Sequence, residues 1–317
     1  MKPRPLTLTQ SLLLALAAVL AVSGCGVVGD HKRSATAQQQ PEAVAGSGLT
    51  TLGRELPARI RATREIRVGA DISYAPLEFY NALAPDVLAR PAGGPAPEVQ
   101  GIDPDLAAAL GRKLGVRFTF VSVGFDDLLN SLRGGQIDVI ISGMSATADR
   151  AKLVSFVEYF KAGTSIVVRK ASASGVRSLQ DLCGKTVAVQ AGTTQEELAN
   201  TQHGLCGTKG LTVRPLPSGS QVLLHVKHRQ ADAALVDFPV AAYNAKVSSS
   251  GSDFAVVGNQ IDPGPFGVGV RKNDGQLREV LRTALEQTLA DGSYRQVLAR
   301  WNVTDGAVTS AGVLGAP

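Results

Sequence analysis

Asp138 to Lys152 reads DVIISGMSATADRAK. Val139, Ile140 and Ile141 form an apolar, β-branched run of strand character. The run stops on Ser142, Gly143, Met144 and Ser145 and gives way to Asp149 and Arg150. In open α/β sheets, ligands bind just beyond the carboxyl ends of the strands, and small polar residues at such an end let a ligand approach backbone N–H groups. SATADRAK then starts a helix whose N-terminus favours an anion. Arg150 adds a planar fork that matches a carboxylate. The same residues are also compatible with a plain capped helix in which Arg150 pairs with Asp149 at the surface.

Outward from this stretch, strands and helices alternate. IRVGAD (66–71) reads as a strand, GIDPDLAAALGRKLG (101–115) as a helix opened by Asp103 and Pro104 and closed by Gly115, and VRFTFVSV (116–123) as a strand. FDDLLNSLRGG (125–135) reads as a helix stopped by Gly134 and Gly135. A second block, from about residue 184 to 257, repeats the order with KTVAVQ, TTQEELANTQ, LTVRPL, SQVLLHVKHRQ and DAALVD, and the tail from Gly275 to Trp301 is helical. Alternation of this kind predicts α/β lobes built on parallel sheets with helices on both faces. AGTSIVVRKAS and NQIDPGPFGVGVRKND lie between the blocks, each with a β-branched strand ending in Arg-Lys, and would form a two-stranded hinge if paired.

The chain has 317 residues, 44% hydrophobic and 19% charged, enough for two domains of ordinary size. Lys2 and Arg4 are the only charged residues among the first 24, so the remainder carries 30 basic and 27 acidic side chains, a net +3. That balance, with the basic residues scattered, argues against nucleic acid. Lys2 and Arg4 precede SLLLALAAVLAV and then Ser23-Gly24-Cys25, the layout of a secretory signal with an apolar run too short to span a bilayer comfortably. VSGC (22–25) resembles the lipobox of bacterial lipoproteins, which implies cleavage after residue 24, lipidation of Cys25 and anchoring at the outer face of the cell membrane. Residues 26 to 52, rich in Gly, Ala, Ser and Gln, read as a flexible tether with a reach of roughly 30 Å; the tether region is drawn as 25–58.

With Cys25 lipidated, Cys183 and Cys206 remain as an even pair in an oxidising compartment, which favours a disulfide. The rival is a zinc site, but two cysteines without paired histidine spacing fall short of four ligands.

The stretches GADISYAPLEF, GIDPDLAAALGRKLGV, GFDDLLNSLRGGQIDVIISGMSATADRAK, DLCGKTVAVQAGTTQEE, RQADAALVD and DGSYRQVLARW follow one another between Ile66 and Trp301. In that order they resemble the extracytoplasmic solute-binding proteins of polar amino acid ABC importers, the histidine, lysine/arginine/ornithine and glutamine binding proteins. The resemblance implies a two-lobed type II periplasmic-binding-protein (Venus flytrap) fold, with one lobe from 59–163 plus 264–317 and the other from 164–263. It implies that Arg150 clamps an α-carboxylate with Ser145 and the Gly143 backbone beside it, and that Thr194 completes the cradle. Asp237 would accept the α-ammonium, with Ser142 near it. Tyr74 and Phe125 would wall the side chain, and Asp71 would reach its far end. Gln190 stands where some glutamine binders have lysine. Read without the resemblance, Asp71 and Asp237 are also compatible with turn residues after strands, and the two aromatics with ordinary core packing.

The expected ligand is a free polar amino acid, a basic one first because Asp71 between two aromatic walls suits a cationic tip, with glutamine or another uncharged polar amino acid as the alternative. The expected partners are an ABC permease with its cytoplasmic ATPase, and the protein is expected to be a monomer without cofactor or metal. Two rivals keep the fold: a sensor subunit that reports the amino acid, and an exported dehydratase-like enzyme using Glu78 or Asp71 as a general acid. The chain departs from the family pattern at Asn81 to Val99, NALAPDVLARPAGGPAPEV, a Pro/Gly/Ala-rich insertion of surface-loop composition.

Overall fold

In the computed structural model, which describes residues 48–80 and 98–316, the chain enters its core earlier than composition suggests. Leu52, Leu56 and Ile60 are buried in the main apolar cluster with Leu106, Leu110 and Leu114. The tether drawn to residue 58 is therefore corrected: a 3-10 turn at Leu52–Glu55 and the helix α1 (Ala58–Thr63) already belong to the folded body, because their leucine and isoleucine spacing buries one face. Residues 1–47, with the expected signal and Cys25, and residues 81–97 of the insertion lie outside the described residues.

The first block gives β1 (Glu65–Ala70), β2 (Ser73–Tyr74), β3 (Glu78–Tyr80), β4 (Val99–Gln100), α2 (Ile102–Leu114), β5 (Arg117–Ser122), α3 (Leu128–Arg133), β6 (Val139–Ile140), α4 (Ala148–Leu153) and β7 (Val154–Arg169). The second gives β8 (Thr186–Gln190), α5 (Thr194–Leu205), β9 (Thr212–Leu216), α6 (Gly219–Lys227), β10 (Ala233–Asp237) and α7 (Phe238–Val247). The chain returns through β11 (Phe254–Arg271) to α8 (Gly275–Ala290), α9 (Ser293–Arg300) and β12 (Val313–Leu314). Helix α2 shows how sequence sets such an element. Asp103 and Asp105 sit in its first turn and Arg112 and Lys113 in its last, each favourable to the helix dipole, and Gly115 ends it at φ 69.

The main sheet runs β5-β1-β6-β11-β7-β10-β8-β9, with β12 added on β7. β1 pairs parallel with β5 and β6, and β8 with β9 and β10, whereas β6 meets β11 and β10 meets β7 antiparallel. The sheet is not purely parallel, however, because β7 and β11 pair antiparallel along their length and join the two halves. Their register shifts between Val257 and Ile261 and again before Gly264, around Pro263, which cannot donate to a ladder. There Gly163 N–H donates instead to the side-chain oxygen of Gln260 at 2.8 Å. The expected two-stranded hinge is thus a continuous strand pair interrupted by bulges where it passes from one half to the other.

Cys183 and Cys206 form the disulfide expected of them, with Cα atoms 5.4 Å apart. It pins the C-terminal end of α5 beside Leu182, Val187 and Leu211. No cluster of three or more metal-ligating side chains occurs among the described residues. Because the bridge closes a loop with a sequence separation of 23, the double Cys183→Ser/Cys206→Ser variant should unfold at lower urea, losing about 3 kcal/mol on the loop-entropy account. A denaturant midpoint equal to that of the parent would refute this.

Candidate functional site

The carboxyl ends of the parallel strands in both halves converge. β1 delivers Asp71, β6 delivers Ser142 and Gly143, β8 delivers Gln190 and the turn to Thr193, and β10 ends on Asp237. Gly143 lies at φ 53, and a Cβ there would stand 2.5 Å from Leu77 Cδ1, so neither backbone nor space admits a side chain.

Hydrogen bonds tie the halves together across this cleft. The Tyr74 hydroxyl, from the first half, donates to Asp237 Oδ2 at 2.8 Å and accepts the Asp237 N–H at 3.0 Å. The Gln190 amide donates to Asp71 Oδ2. Arg150 Nη2 donates to the Gly192 carbonyl at 3.0 Å, and Asn244 donates to the Ala75 carbonyl at 3.2 Å. Tyr74 also packs its ring against Gly219, where a Cβ would come within 2.3 Å of the ring. The cleft is therefore closed.

Arg150 is 8% exposed, and burial lowers its pKa from the ordinary arginine value. Its Nη1 donates to the Ser145 carbonyl at 3.0 Å, and the Phe125 ring centroid lies 5.5 Å from its guanidinium carbon. Asp149 does not pair with it but with Lys152, at 2.6 Å on the surface. Among the described residues Arg150 enters no ion pair. The guanidinium is hydrogen-bonded only to carbonyl oxygens, and its charge is met at longer range by Glu197 and Asp237.

Two acids face the same cleft. Asp237 is 6% exposed, and burial pushes its carboxyl up to about 6 against the opposing bonds from Tyr74 and Gln195 and the charge of Arg150. Gln195 donates to its Oδ1 at 2.8 Å and to the Thr164 hydroxyl at 3.2 Å. Asp71 is raised by burial as well, opposed by bonds from Ser73 and Gln190. Ser142 accepts the Asp71 N–H at 3.0 Å and donates to Glu78 at 2.6 Å, while Gly143 N–H donates to Asp103 at 2.9 Å. Both groups are thus engaged with buried carboxyls behind the cleft. Thr194 is the first residue of α5; the capping hydroxyl is that of Thr193, which accepts the Glu196 N–H at 3.2 Å. Thr194 joins the cluster through Gln195, at 3.4 Å.

Three groupings emerge from the ten candidates: Asp71 with Gln190 and Ser142; Tyr74 with Asp237; Arg150 with Ser145 and Phe125. Gln195 and Asp103 support candidate residues, Asp237 and Gly143 respectively, and are not among the candidates read from the sequence. Gln195 follows directly on Thr194 in the helix start TTQE, and its position in the first turn could have marked it.

A two-halved α/β body hinged on paired strands, with an anion-seeking guanidinium and two acids at opposed strand ends, has the type II periplasmic-binding fold of a ligand-capturing protein. Residues 66–304 match the bacterial extracellular solute-binding proteins, family 3, and the chain belongs to that family. The histidine-binding periplasmic protein of Salmonella typhimurium is 30% identical over 243 residues, covering 75% of this chain and 87% of that protein. The structure of an ancestral arginine-binding protein bound to arginine matches with a TM-score of 0.66 and 32% identity over 75% of this chain and 97% of that one. An ancestral amino acid-binding protein described as a precursor of cyclohexadienyl dehydratase matches with the same score and identity over 80% of this chain and 99% of its own. Among the described residues no helix is long and apolar enough to cross a membrane.

Tyr74→Phe removes the hydroxyl that serves both the carboxylate and the N–H of Asp237. It should cost the closed arrangement about 1–3 kcal/mol. Small-angle scattering should then record a larger radius of gyration, and an unchanged radius with an unchanged melting temperature would count against the latch.

Proposed function

We propose that this protein captures a free polar amino acid, a basic one first, and delivers it to an ABC import permease. The observation that carries this reading is the charge layout of the cleft: one buried guanidinium, Arg150, without a carboxylate partner, opposite two buried acids, Asp237 and Asp71. A zwitterion supplies a carboxylate for Arg150 and an ammonium for Asp237, and a cationic tip supplies the partner for Asp71. Relatives named for histidine and for arginine support the same class. Tyr74 and Phe125 flank the side-chain space, and Ser142, Gly143, Ser145, Gln190 and Thr194 complete the lining. The Asp71–Gln190 bond favours one alternative, an uncharged amide side chain such as that of glutamine, because Asp71 already has a neutral donor.

Capture proceeds without chemistry. A ligand that touches both lobes binds the closed state better than the open one, and that difference drives closure about the β7–β11 hinge. The protein acts as an exported monomer anchored through lipidated Cys25. An enzymatic role through Glu78 is disfavoured because that carboxyl is bonded to Ser142 and fully buried.

A thermal-shift screen of residues 48–317 against the common amino acids tests the class, since a ligand of the folded form raises the melting temperature by mass action. Stabilisation by arginine, lysine, ornithine or histidine is the expected result; a response to glutamine alone selects the alternative, and silence refutes both. In calorimetry, Arg150→Ala should weaken binding by about 2–5 kcal/mol, and retained affinity in a folded variant would remove Arg150 from the carboxylate site. Affinity should also fall with acidification. Below pH about 6 the free Asp237 carboxyl is protonated and must lose its proton to hold an ammonium, so the loss approaches about tenfold per pH unit. Asp237→Asn should flatten that dependence while weakening binding throughout.

A further inference from the structure

Behind the cleft, Glu78 of β3 and Asp103 of α2 are both 0% exposed. Asp103 is well supplied with donors: the Tyr159 hydroxyl lies 2.8 and 2.9 Å from its two oxygens, and Gly143 N–H donates to Oδ2 at 2.9 Å. Glu78 receives one donor, the Ser142 hydroxyl, on Oε1 at 2.6 Å. Its other oxygen, Oε2, is buried with no donor from the described residues directed at it. Glu78 and Asp103 hold adjacent residues of one strand end, Ser142 and Gly143, and each acts on the other's titration. The other titratable groups facing Glu78 are acids or phenols: Asp71 beyond β1, Tyr74 of β2 and Tyr159 of β7. Among the described residues no cation is a leading influence on either carboxyl.

Two fully buried carboxyls anchored on neighbouring residues repel each other when both are ionised; one proton between them converts the repulsion into a hydrogen bond. We propose that Glu78 is a carboxylic acid in the working protein, its proton on Oε2 donated to Asp103, and that it is a positioning residue for the ligand-facing ends of β1 and β6. The proton fixes Glu78 so that Oε1 holds Ser142, whose hydroxyl oxygen accepts the Asp71 N–H at 3.0 Å. Asp103, relieved of a second charge, holds the Gly143 N–H. Both strand ends that present Asp71 and Ser142 to Ser145 therefore hang on one shared proton. Burial and the neighbouring Asp103 charge push Glu78 well above the ordinary glutamate range, and Asp103 rises less because Tyr159 and Gly143 donate to it.

Glu78→Gln tests this, because an amide reproduces the proposed acid: its oxygen accepts from Ser142 and its NH2 donates to Asp103. Infrared spectra at mildly alkaline pH should contain the carbonyl stretch of a protonated carboxylic acid in the parent and lose it in Glu78→Gln. The variant should keep the parent's melting temperature near neutrality, where Glu78→Ala loses several degrees. The pH profile supplies an independent readout. A carboxyl whose folded pKa is raised keeps its proton while the unfolded chain releases its own, so parent stability declines as pH rises from the ordinary glutamate value toward the raised one. Glu78→Gln should decline less over that window. Absence of the acid band in the parent, its persistence in Glu78→Gln, or an amide variant as unstable as the alanine one would each overturn the proposal. None of these readouts uses a ligand, so a failed amino acid screen leaves this test standing.

Discussion

Arg150 sets the terms for the whole cleft. A guanidinium taken out of water loses hydration that two backbone carbonyls restore only in part, and its remaining charge has to be met by something outside the chain or by longer-range attraction to acids. It sits on a short helix after a strand that ends in small residues, bonded to backbone rather than to a glutamate or aspartate. The rest of the site can be derived from that choice: acids on the opposite wall, amides between them, and aromatic faces that exclude water.

The closed form is held by neutral or singly charged bonds: a phenol to a carboxylate, an amide to a carboxylate, a guanidinium to a carbonyl, an amide to a carbonyl. Each is modest in net worth once competition from water is counted. A cleft latched in this way can reopen, because none of its cross-links is a fully desolvated ion pair whose separation would strand two charges. The interrupted β7–β11 ladder fits the same requirement, since its bulges concentrate bending in a few residues and leave the parallel pairs of each half intact.

Much of this architecture was legible in the chain because it rests on local rules. The alternating blocks, the Gly115 stop of α2 and the strand end at Ser142 follow from period and punctuation. The antiparallel crossing was visible only as two similar extended stretches, because pairing partners about a hundred residues apart leave no local trace. The start of the body near Leu52 was missed for a related reason: its sparse leucines acquire meaning only against Leu110 and Leu114. At the site, residue types and strand ends were readable, whereas the use of each hydrogen-bonding group was not. Gly143 N–H and the Ser142 hydroxyl turn toward Asp103 and Glu78, and Gln195 orients Asp237, because burial obliges every polar group to find a partner and only the folded geometry says which one.

The antiparallel meeting of Arg169 with Phe254 makes everything from Lys170 to Asp253 an excursion from an otherwise unfinished sheet. β11, α8 and α9, which complete the first half, follow the second half along the chain. The second half is sequence-contiguous and can reach its own pairings early, while the first must wait for partners separated by some hundred residues, contacts of the kind that slow folding. Assembly is therefore nested: an inner body matures inside an open outer one, and the outer body closes around a preformed insert.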